Sequence, residues 1–396
     1  MTQSRIDRAI AALEALVGFD TVSRHSNLHL IEWIEGALDT HNVPYTRFQN
    51  ADGTKTNLLA RIGPDVPGGI ALSGHTDVVP VDGQDWDQSP FQLTKTAANR
   101  LVGRGTSDMK GFIALCMAML PEFTAAPLKK PIFFAFSYDE EVGCTGCLDM
   151  VHHMGTLNAR PLAVLVGEPT EMALVDAHKG IRTFTVTVTG LEAHSSRTHE
   201  GVNAIFFGAR LLTFIEDEAH KLQKLGDPLD GADSRFDPPY TSLHVGVLQG
   251  GTALNIIPHK CTFTYEYRDL PGADIETVQQ AISDVAARLA QQMQHKAPDA
   301  TDVGITITPG HQVPPLQAGQ GGDQALQTFL RLAQANETQA VSYGTEAGHF
   351  QAQDIPTFVC GPGSIAQAHK PNEFVEISQL ELGLDMLARL MDELAV

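Results

Sequence analysis

Basic residues are scarce in this sequence relative to acidic ones. Its 396 residues include 27 Lys and Arg but 47 Asp and Glu, so the formal net charge is −20 at pH 7. A charge of this sign repels the phosphates of nucleic acids and the headgroups of anionic lipids. We therefore expect neither nucleic acid nor a membrane as a partner, whereas a small cationic or zwitterionic substrate is compatible with this charge.

Long hydrophobic runs are also missing. The longest apolar stretch, near residues 112–120, is too short to cross a bilayer. The first 16 residues contain no basic segment that leads into an apolar one, as a secretory signal would. These two features predict a cytoplasmic protein.

Cysteine is scarce too, and its pattern does not indicate a disulfide framework. The chain has five cysteines, an odd number. Cys144 and Cys147 form a CxxC pair, but the acidic residues 139–141 precede them and would raise the pKa of a thiol rather than lower it. We interpret the pair as packed thiols rather than a redox site or half of a zinc site.

The hydrophobic pattern divides the chain into three segments. Helix-period and buried-strand segments alternate over 1–180, which predicts an α/β fold with a mostly parallel sheet flanked by helices. From residue 181 the pattern alternates strictly, as in a strand with one solvated face, and an α+β segment follows. The first pattern resumes near residue 300. We therefore predict a catalytic domain built from 1–180 and 301–396, with a smaller domain inserted at 181–300.

Histidines and carboxylates follow the predicted strands of the larger domain. Loops at the carboxyl ends of parallel strands converge on one crevice, so residues far apart in sequence can meet there. Nitrogen and oxygen ligands without thiolate suit zinc, cobalt or manganese, and five of them with one bridging carboxylate suit two ions. The pattern thus predicts a two-metal hydrolase. The candidates are His75, Asp108, Glu168, His369 and one of Glu140 and Glu141.

Each candidate also has a simpler interpretation. A single His or Asp after a strand is more often a cap or loop residue than a ligand. Asp77 is close enough to His75 to accept the second imidazole N–H and fix the tautomer, or it can be a turn residue. The glycine-rich segment around Asp108 could be a phosphate loop, although it lacks the spacing of known phosphate motifs. Glu140 and Glu141 could form a solvated turn; alternatively, one binds metal while the other takes a proton from water.

Five motifs occur in one order along the chain: Ser-Gly-His75-Thr-Asp77, Gly-Arg-Gly-Thr-Ser-Asp108-Met-Lys-Gly, Asp-Glu140-Glu141, Gly-Glu168-Pro-Thr and Ala-His369-Lys-Pro. This series resembles the M20 metallopeptidase family of co-catalytic zinc aminoacylases, deacetylases and carboxypeptidases. The resemblance implies a zinc-exopeptidase-like catalytic domain interrupted by a lid domain that mediates dimerisation. It also implies the roles of six residues: His75 and Glu168 on one metal, Glu141 and His369 on the other, Asp108 as bridge and Glu140 as general base.

Three residues of the inserted segment match further family positions. His194, in Glu-Ala-His194-Ser-Ser, resembles the histidine that polarises the scissile carbonyl, often from the partner subunit; alone, it would be interpreted as a surface-loop histidine. Asn255 and Arg268 resemble residues that lie over the substrate. The guanidinium of an Arg can donate two parallel hydrogen bonds to the two oxygens of an α-carboxylate. Arg268 could equally pair with Asp269 or another acid.

Within the family, the segments around Thr345 and at 360–371 resemble the acetylornithine deacetylases of arginine biosynthesis. Thr345 and Glu346 are therefore candidate substrate-binding residues, and Glu346 could either meet a substrate ammonium or cap a helix. The implied reaction is hydrolysis of N2-acetyl-L-ornithine to L-ornithine and acetate by a homodimer with two divalent ions, zinc or cobalt. The alternatives are a succinyl-diaminopimelate desuccinylase, a broad aminoacylase or a non-catalytic metal-stabilised binding protein.

Overall fold

The computed structural model describes residues 3–225, 234–320 and 322–396. The chain forms two compact units. Unit 1 contains the chain up to Ala177, Leu316–Ala340 and Thr345–Val396. Unit 2 contains His178–Pro315 and the short return Val341–Gly344.

Helices account for much of both units. In the described part of the chain, none of them combines the length and the apolar composition that crossing a membrane requires. The helices are α1 (Arg5–Gly18), α2 (Leu28–Thr40), α3 (Lys110–Ala125), α4 (Leu148–Thr156), α5 (Ala204–Leu225), α6 (Ile275–Lys296), α7 (Gly322–Ala333), α8 (Ala347–Gln351) and α9 (Ile377–Ala395).

The strands form three sheets. The strands are β1 (Tyr45–Gln49), β2 (Thr56–Ile62), β3 (Ile70–His75), β4 (Thr94–Lys95), β5 (Arg100–Val102), β6 (Ile132–Ser137), β7 (Ala163–Val166), β8 (Val175–His178), β9 (Ile181–Thr189), β10 (Ser242–Gly250), β11 (Lys260–Arg268), β12 (Gly304–Val313), β13 (Gln339–Val341), β14 (Thr357–Val359) and β15 (Phe374–Glu376). The largest sheet has the order β1-β2-β6-β3-β7-β14-β8-β13, and a small one has the order β15-β5-β4.

The centre of the eight-stranded sheet is parallel and buried on both faces. β3 pairs in parallel with β6 and β7, and β7 pairs in parallel with β14. Every residue of these four strands is buried, which explains their continuous apolar runs. Helix α3 is apolar around its whole circumference because it contacts β3 as well as α1 and α9. The expected α/β class with flanking helices is confirmed.

Unit 2 is built on a separate antiparallel sheet. Its order is β10-β11-β9-β12, and α5 and α6 contribute to one apolar core with its buried face. The unit continues to Pro315, beyond the expected end at residue 300, because β12 pairs with β9 rather than joining the larger sheet. The separate α+β unit within the chain agrees with the fold class expected from the sequence.

The sheet of unit 1 ends where the candidate residues begin. His75 is the last residue of β3, Glu140 and Glu141 follow β6, and Glu168 lies two residues after β7. Gly167 permits close packing at this edge, because a Cβ at this position would lie 1.9 Å from the ring of Phe112 on α3. The ends of the parallel strands thus bring histidines and carboxylates to one side of the sheet.

Candidate metal centre

The structure brings the five predicted ligands together within unit 1. His75 Nε2 lies 2.9 Å from Asp108 Oδ1 and 3.7 Å from Glu168 Oε1. His369 Nε2 lies 3.4 Å from Asp108 Oδ2 and 3.0 Å from Glu141 Oε2. Asp108 therefore presents one oxygen to each histidine. This is the arrangement that a carboxylate bridging two cations requires.

The donor set fits a pair of divalent metal ions. Glu141 Oε1 and Glu168 Oε1 are buried, and within the described residues neither has a hydrogen-bond partner. A buried carboxylate oxygen without a partner is costly unless a cation or a proton satisfies it. The candidate ligand atoms are imidazole nitrogens and carboxylate oxygens, which suit zinc, cobalt or manganese. Two overlapping sets of potential ligand atoms, each within 4.8 Å of one another, are His75 with Glu140 and Glu168, and His75 with Asp108 and Glu141.

The ionisation of the cluster reflects the crowding of buried acids. Burial raises the pKa of Glu140 to about 8 and that of Glu141 to about 7, and it raises the pKa of Glu168 well above its usual range. Burial would lower the pKa of His75, but its hydrogen bond to Asp108 and the nearby carboxylates outweigh that effect and raise it. Without a metal ion, protons would have to balance the charge, so metal binding must compete with protons here.

His369 differs from the other candidate ligands because it is partly open to solvent. Its side chain is 55% exposed, whereas that of His75 is 1% exposed. Hydrogen bonds to Asp108 and Glu141 raise the pKa of His369 to about 10. The same two histidines lower the pKa of Asp108 below its usual value, against the opposing effect of burial. The cluster is thus closed on the side of His75 and accessible on the side of His369.

Asp77 supports the centre through its backbone and its carboxylate in different ways. His75 Nδ1 donates to the backbone carbonyl of Asp77 at 2.8 Å, while the Asp77 carboxylate lies 3.7 Å from that nitrogen. The carboxylate instead accepts the backbone N–H groups of Glu140 and Glu141 at 3.2 and 3.3 Å, and the hydroxyl of Ser23 at 2.7 Å. The carbonyl therefore sets the imidazole tautomer, which differs from the carboxylate contact expected from the sequence. The carboxylate holds the loop of the two glutamates.

Glu140 has a thiol neighbour. Cys144 Sγ donates to Glu140 Oε1 at 3.2 Å. All five cysteines are free and buried, and burial raises the pKa of both Cys144 and Cys147. The contact to Glu140 is consistent with packed, protonated thiols.

Thr345 and Glu346 are buried inside unit 1. Thr345 Oγ1 accepts the backbone N–H of Ala347 at 3.1 Å at the start of α8. The two carboxylate oxygens of Glu346 accept hydrogen bonds from Ser73 at 2.6 Å and Ser137 at 2.8 Å. Glu346 thus links β3 to β6 near their carboxyl ends, next to the residues that extend into the candidate metal centre. This placement favours a supporting role over the substrate contact expected for the pair.

Sequence reasoning missed Arg104 and Glu373. Arg104 Nη1 donates to Glu373 Oε2 at 2.7 Å, and each side chain is 1% exposed. Glu373 also accepts backbone N–H groups next to Asp108. Arg104 lies inside the glycine-rich motif and Glu373 lies two residues after the Ala-His-Lys-Pro motif, but nothing in the sequence pairs the two residues.

The remaining candidates belong to unit 2. His194 is exposed; its Nδ1 lies 2.8 Å from the hydroxyl of Ser196 and accepts the backbone N–H of Ser196 at 3.2 Å. The backbone carbonyl of Asn255 accepts the N–H of Ser195 at 3.0 Å, which places Asn255 beside the His194 loop. Arg268, at the end of β11, donates to Glu266 at 3.2 and 3.3 Å rather than to Asp269.

Comparison with known proteins identifies the family. Residues 71–393 match the model of peptidase family M20/M25/M40. The chain is 35% identical over 390 residues to an acetylornithine deacetylase of Myxococcus xanthus, covering 96% of this chain and 95% of that one. A Staphylococcus aureus tripeptidase has a similar fold, with a TM-score of 0.75, 18% identity and 98% coverage of both chains. A dinuclear metal-binding M20 peptidase of Bacillus subtilis has a TM-score of 0.65, 16% identity and 98% coverage of both chains.

These findings confirm the family and the reaction class that the five motifs predict. The family match spans most of the chain and includes every candidate ligand. The cluster around Asp108 contains the nitrogen and oxygen donors that a metal-dependent hydrolase needs. The chain belongs to the M20 peptidase family and is a metal-dependent amidohydrolase.

Proposed function

We propose that the chain hydrolyses N2-acetyl-L-ornithine to L-ornithine and acetate, a step of arginine biosynthesis. The observation that carries the proposal is Asp108 between His75 and His369, with the carboxyl of Glu140 in the same cluster. The relative of Myxococcus xanthus described above supports the choice of substrate. The excess of negative charge is compatible with a substrate that carries an ammonium group. The cytoplasmic location expected from the sequence stays a prediction.

The proposed cofactor is a pair of divalent ions, zinc or cobalt. His75 and Glu168 would hold one ion, Glu141 and His369 the other, and Asp108 both. The distances among these five side chains and the unpartnered oxygens of Glu141 and Glu168 support this assignment. When bound, such ions polarise a carbonyl oxygen and lower the pKa of water towards neutrality.

Glu140 is the proposed general base. Its carboxyl lies within 4.8 Å of ligand atoms of His75 and Glu168, within reach of a water molecule held there. Glu140 would take a proton from the attacking water and deliver it to the nitrogen of the leaving amine. The hydrogen bond from Cys144 orients one carboxyl oxygen, which leaves the other for this transfer.

His194, Asn255 and Arg268 are the proposed substrate residues of unit 2. With Nδ1 accepting from Ser196, Nε2 of His194 would be the hydrogen-bond donor that a developing oxyanion requires. Arg268 could bind the α-carboxylate of the substrate with its guanidinium, in competition with its present partner Glu266.

We also propose a homodimer that forms through unit 2. Strand β10 is an edge of its sheet, and Val247 and Leu248 on it are 54% and 57% exposed. Phe206 at the start of α5 is 67% exposed and lines a cavity of about 740 Å³ together with the fully exposed Leu254. An open strand edge beside exposed apolar side chains is a surface that a second copy could cover.

The substrate assignment is tested by comparing three amides. We expect kcat/KM for N2-acetyl-L-ornithine to exceed that for N-succinyl-diaminopimelate and for N-acetylmethionine by at least about tenfold, the discrimination that one mismatched contact provides. Assays of protein treated with a chelator and then reloaded with zinc or cobalt establish the metal requirement. A preference for the succinyl substrate would replace the proposal with a desuccinylase, and equal rates would indicate a broad aminoacylase.

Replacing the general base should separate chemistry from metal binding. Glu140→Gln keeps the side-chain shape but cannot accept the proton, so kcat should fall by at least about 100-fold. Elemental analysis of the purified variant should still find two ions per chain. Glu381→Gln, an exposed position on α9, serves as the matched control and should retain full turnover. Comparable turnover in the two variants would remove Glu140 as the base.

His194 should act in the transition state rather than in substrate binding. His194→Ala removes the proposed donor to the oxyanion, so kcat should decrease by about 100-fold or more while KM changes little. Steady-state kinetics with N2-acetyl-L-ornithine measure both constants. A rise in KM at constant kcat would instead assign His194 to ground-state binding.

The dimer surface can be tested with charge substitutions. Phe206→Glu and Leu248→Glu place a carboxylate in the proposed contact, so the mass in solution should fall from two chains to one. Leu382→Glu on α9, where the side chain is 50% exposed, is the control and should leave the mass unchanged. Light scattering coupled to size exclusion gives the mass. A wild-type protein of one chain would contradict the proposal directly.

A further inference from the structure

A buried ion pair joins the two loops that carry Asp108 and His369. Arg104 lies four residues before Asp108, and Glu373 lies four residues after His369. Their side chains are each 1% exposed and meet at 2.7 Å, and the backbone N–H of Gly103 donates to the Glu373 carbonyl at 2.9 Å. Two segments separated by most of the chain are therefore fixed to each other directly beside the metal centre.

Glu373 holds the backbone of Asp108. Its second oxygen, Oε1, accepts the backbone N–H of Ser107 at 2.9 Å and that of Asp108 at 3.1 Å. Both carboxylate oxygens of Glu373 are thus occupied, one by the guanidinium of Arg104 and the other by the chain at Asp108. A shift of Glu373 would move the carboxylate that lies between the two histidines.

Arg104 reaches the backbone of His369 through Gln84. Arg104 Nη2 donates to Gln84 Oε1 at 2.6 Å, and Gln84 Nε2 donates to the carbonyl of His369 at 3.0 Å. Arg104 Nη1 also donates to the carbonyl of Lys370 at 3.3 Å. His369 has a φ of 64°, a left-handed conformation that a residue with a side chain adopts only when its surroundings hold it.

Stability of the fold is a weak explanation for this pair. Removing two charges from water is expensive, and buried ion pairs can often be replaced by apolar residues without loss of stability. The hydrogen bonds of this pair, in contrast, converge on the backbone of two neighbouring metal-ligand candidates. Such outer contacts orient ligands, and their loss typically weakens metal binding by about 10- to 100-fold.

We propose that Arg104, Glu373 and Gln84 are positioning residues that fix the spacing between Asp108 and His369, and so set the affinity for the divalent ion these two ligands share. The inference rests on the proposed metal assignment. It adds three residues that contact neither metal nor substrate, and it predicts that their loss changes metal binding.

The test measures cobalt(II) binding to the metal-free full-length protein by visible absorption, together with the far-ultraviolet circular dichroism of each variant. The variants are Glu373→Gln, which keeps the shape but removes the charge, and Gln84→Met, which removes the contact to the His369 carbonyl. Glu35→Gln is the control. Glu35 lies on α2 and also pairs with an arginine, Arg47, but neither residue belongs to the two loops that carry Asp108 and His369. The absorption spectrum reports the coordination of the ion, which a merely structural contact would leave unchanged.

We expect wild-type protein to bind two cobalt ions. Glu373→Gln should bind one of them about 10- to 100-fold more weakly, and Gln84→Met about tenfold more weakly, each with an altered spectrum. Glu35→Gln should match the wild type. Folded Glu373→Gln with wild-type affinity and spectrum would overturn the proposal, as would an equal loss of affinity in Glu35→Gln.

Two outcomes need separate interpretation. If Glu373→Gln does not fold, the Gln84→Met variant tests the proposal instead. The side chain of Gln84 is half-buried and uncharged, so replacing it leaves no buried charge unpaired. Wild-type cobalt binding by that variant would overturn the proposal. If the wild-type protein itself fails to bind two ions, the proposed two-metal centre is wrong. That result is distinguishable from failure of the positioning residues alone.

Discussion

Negative charge in a buried space is the constraint on which the rest of unit 1 depends. Asp108, Glu140, Glu141 and Glu168 are gathered at the ends of parallel strands, where burial opposes their ionisation. Only cations or protons can balance them there, and the imidazole of His75 is enclosed with them. The partially open His369 provides the side from which solvent can reach the cluster. The same crowding that would destabilise an ordinary protein interior thus makes a strong site for divalent ions.

Five of the carboxylates near the centre divide into two groups by how their oxygens are satisfied. Glu141 and Glu168 each keep one buried oxygen without a partner in the described part of the chain. Asp77, Glu346 and Glu373 have both oxygens bonded to backbone N–H groups, hydroxyls or a guanidinium. The first group can accept a metal ion, whereas the second fixes the loops and strands that present it. Residue type alone does not distinguish them; hydrogen-bond geometry does.

The sequence alone predicts the buried strands and the candidate ligands, but not the residues that hold those ligands in place. Buried strands such as β3 and β6 are recognisable from their apolar runs, and a His or Glu directly after them is positioned by chain connectivity. Glu346 and Glu373 lack that advantage, because their partners Ser73, Ser137 and Arg104 lie hundreds of residues away and no local pattern connects them. The domain boundary expected at residue 300 falls before β12 for a similar reason. A solvated antiparallel strand has the same appearance in sequence whichever sheet it joins.

The order of the ligands along the chain has a consequence for biosynthesis. His75, Asp108, Glu141 and Glu168 leave the ribosome before any of the α+β unit from His178 to Pro315, and His369 follows only after it. Strand β14, which completes the pairing of β7, is also made late. Until β14 and His369 are synthesised, the first four side chains form an incomplete cluster of acids beside an incomplete sheet.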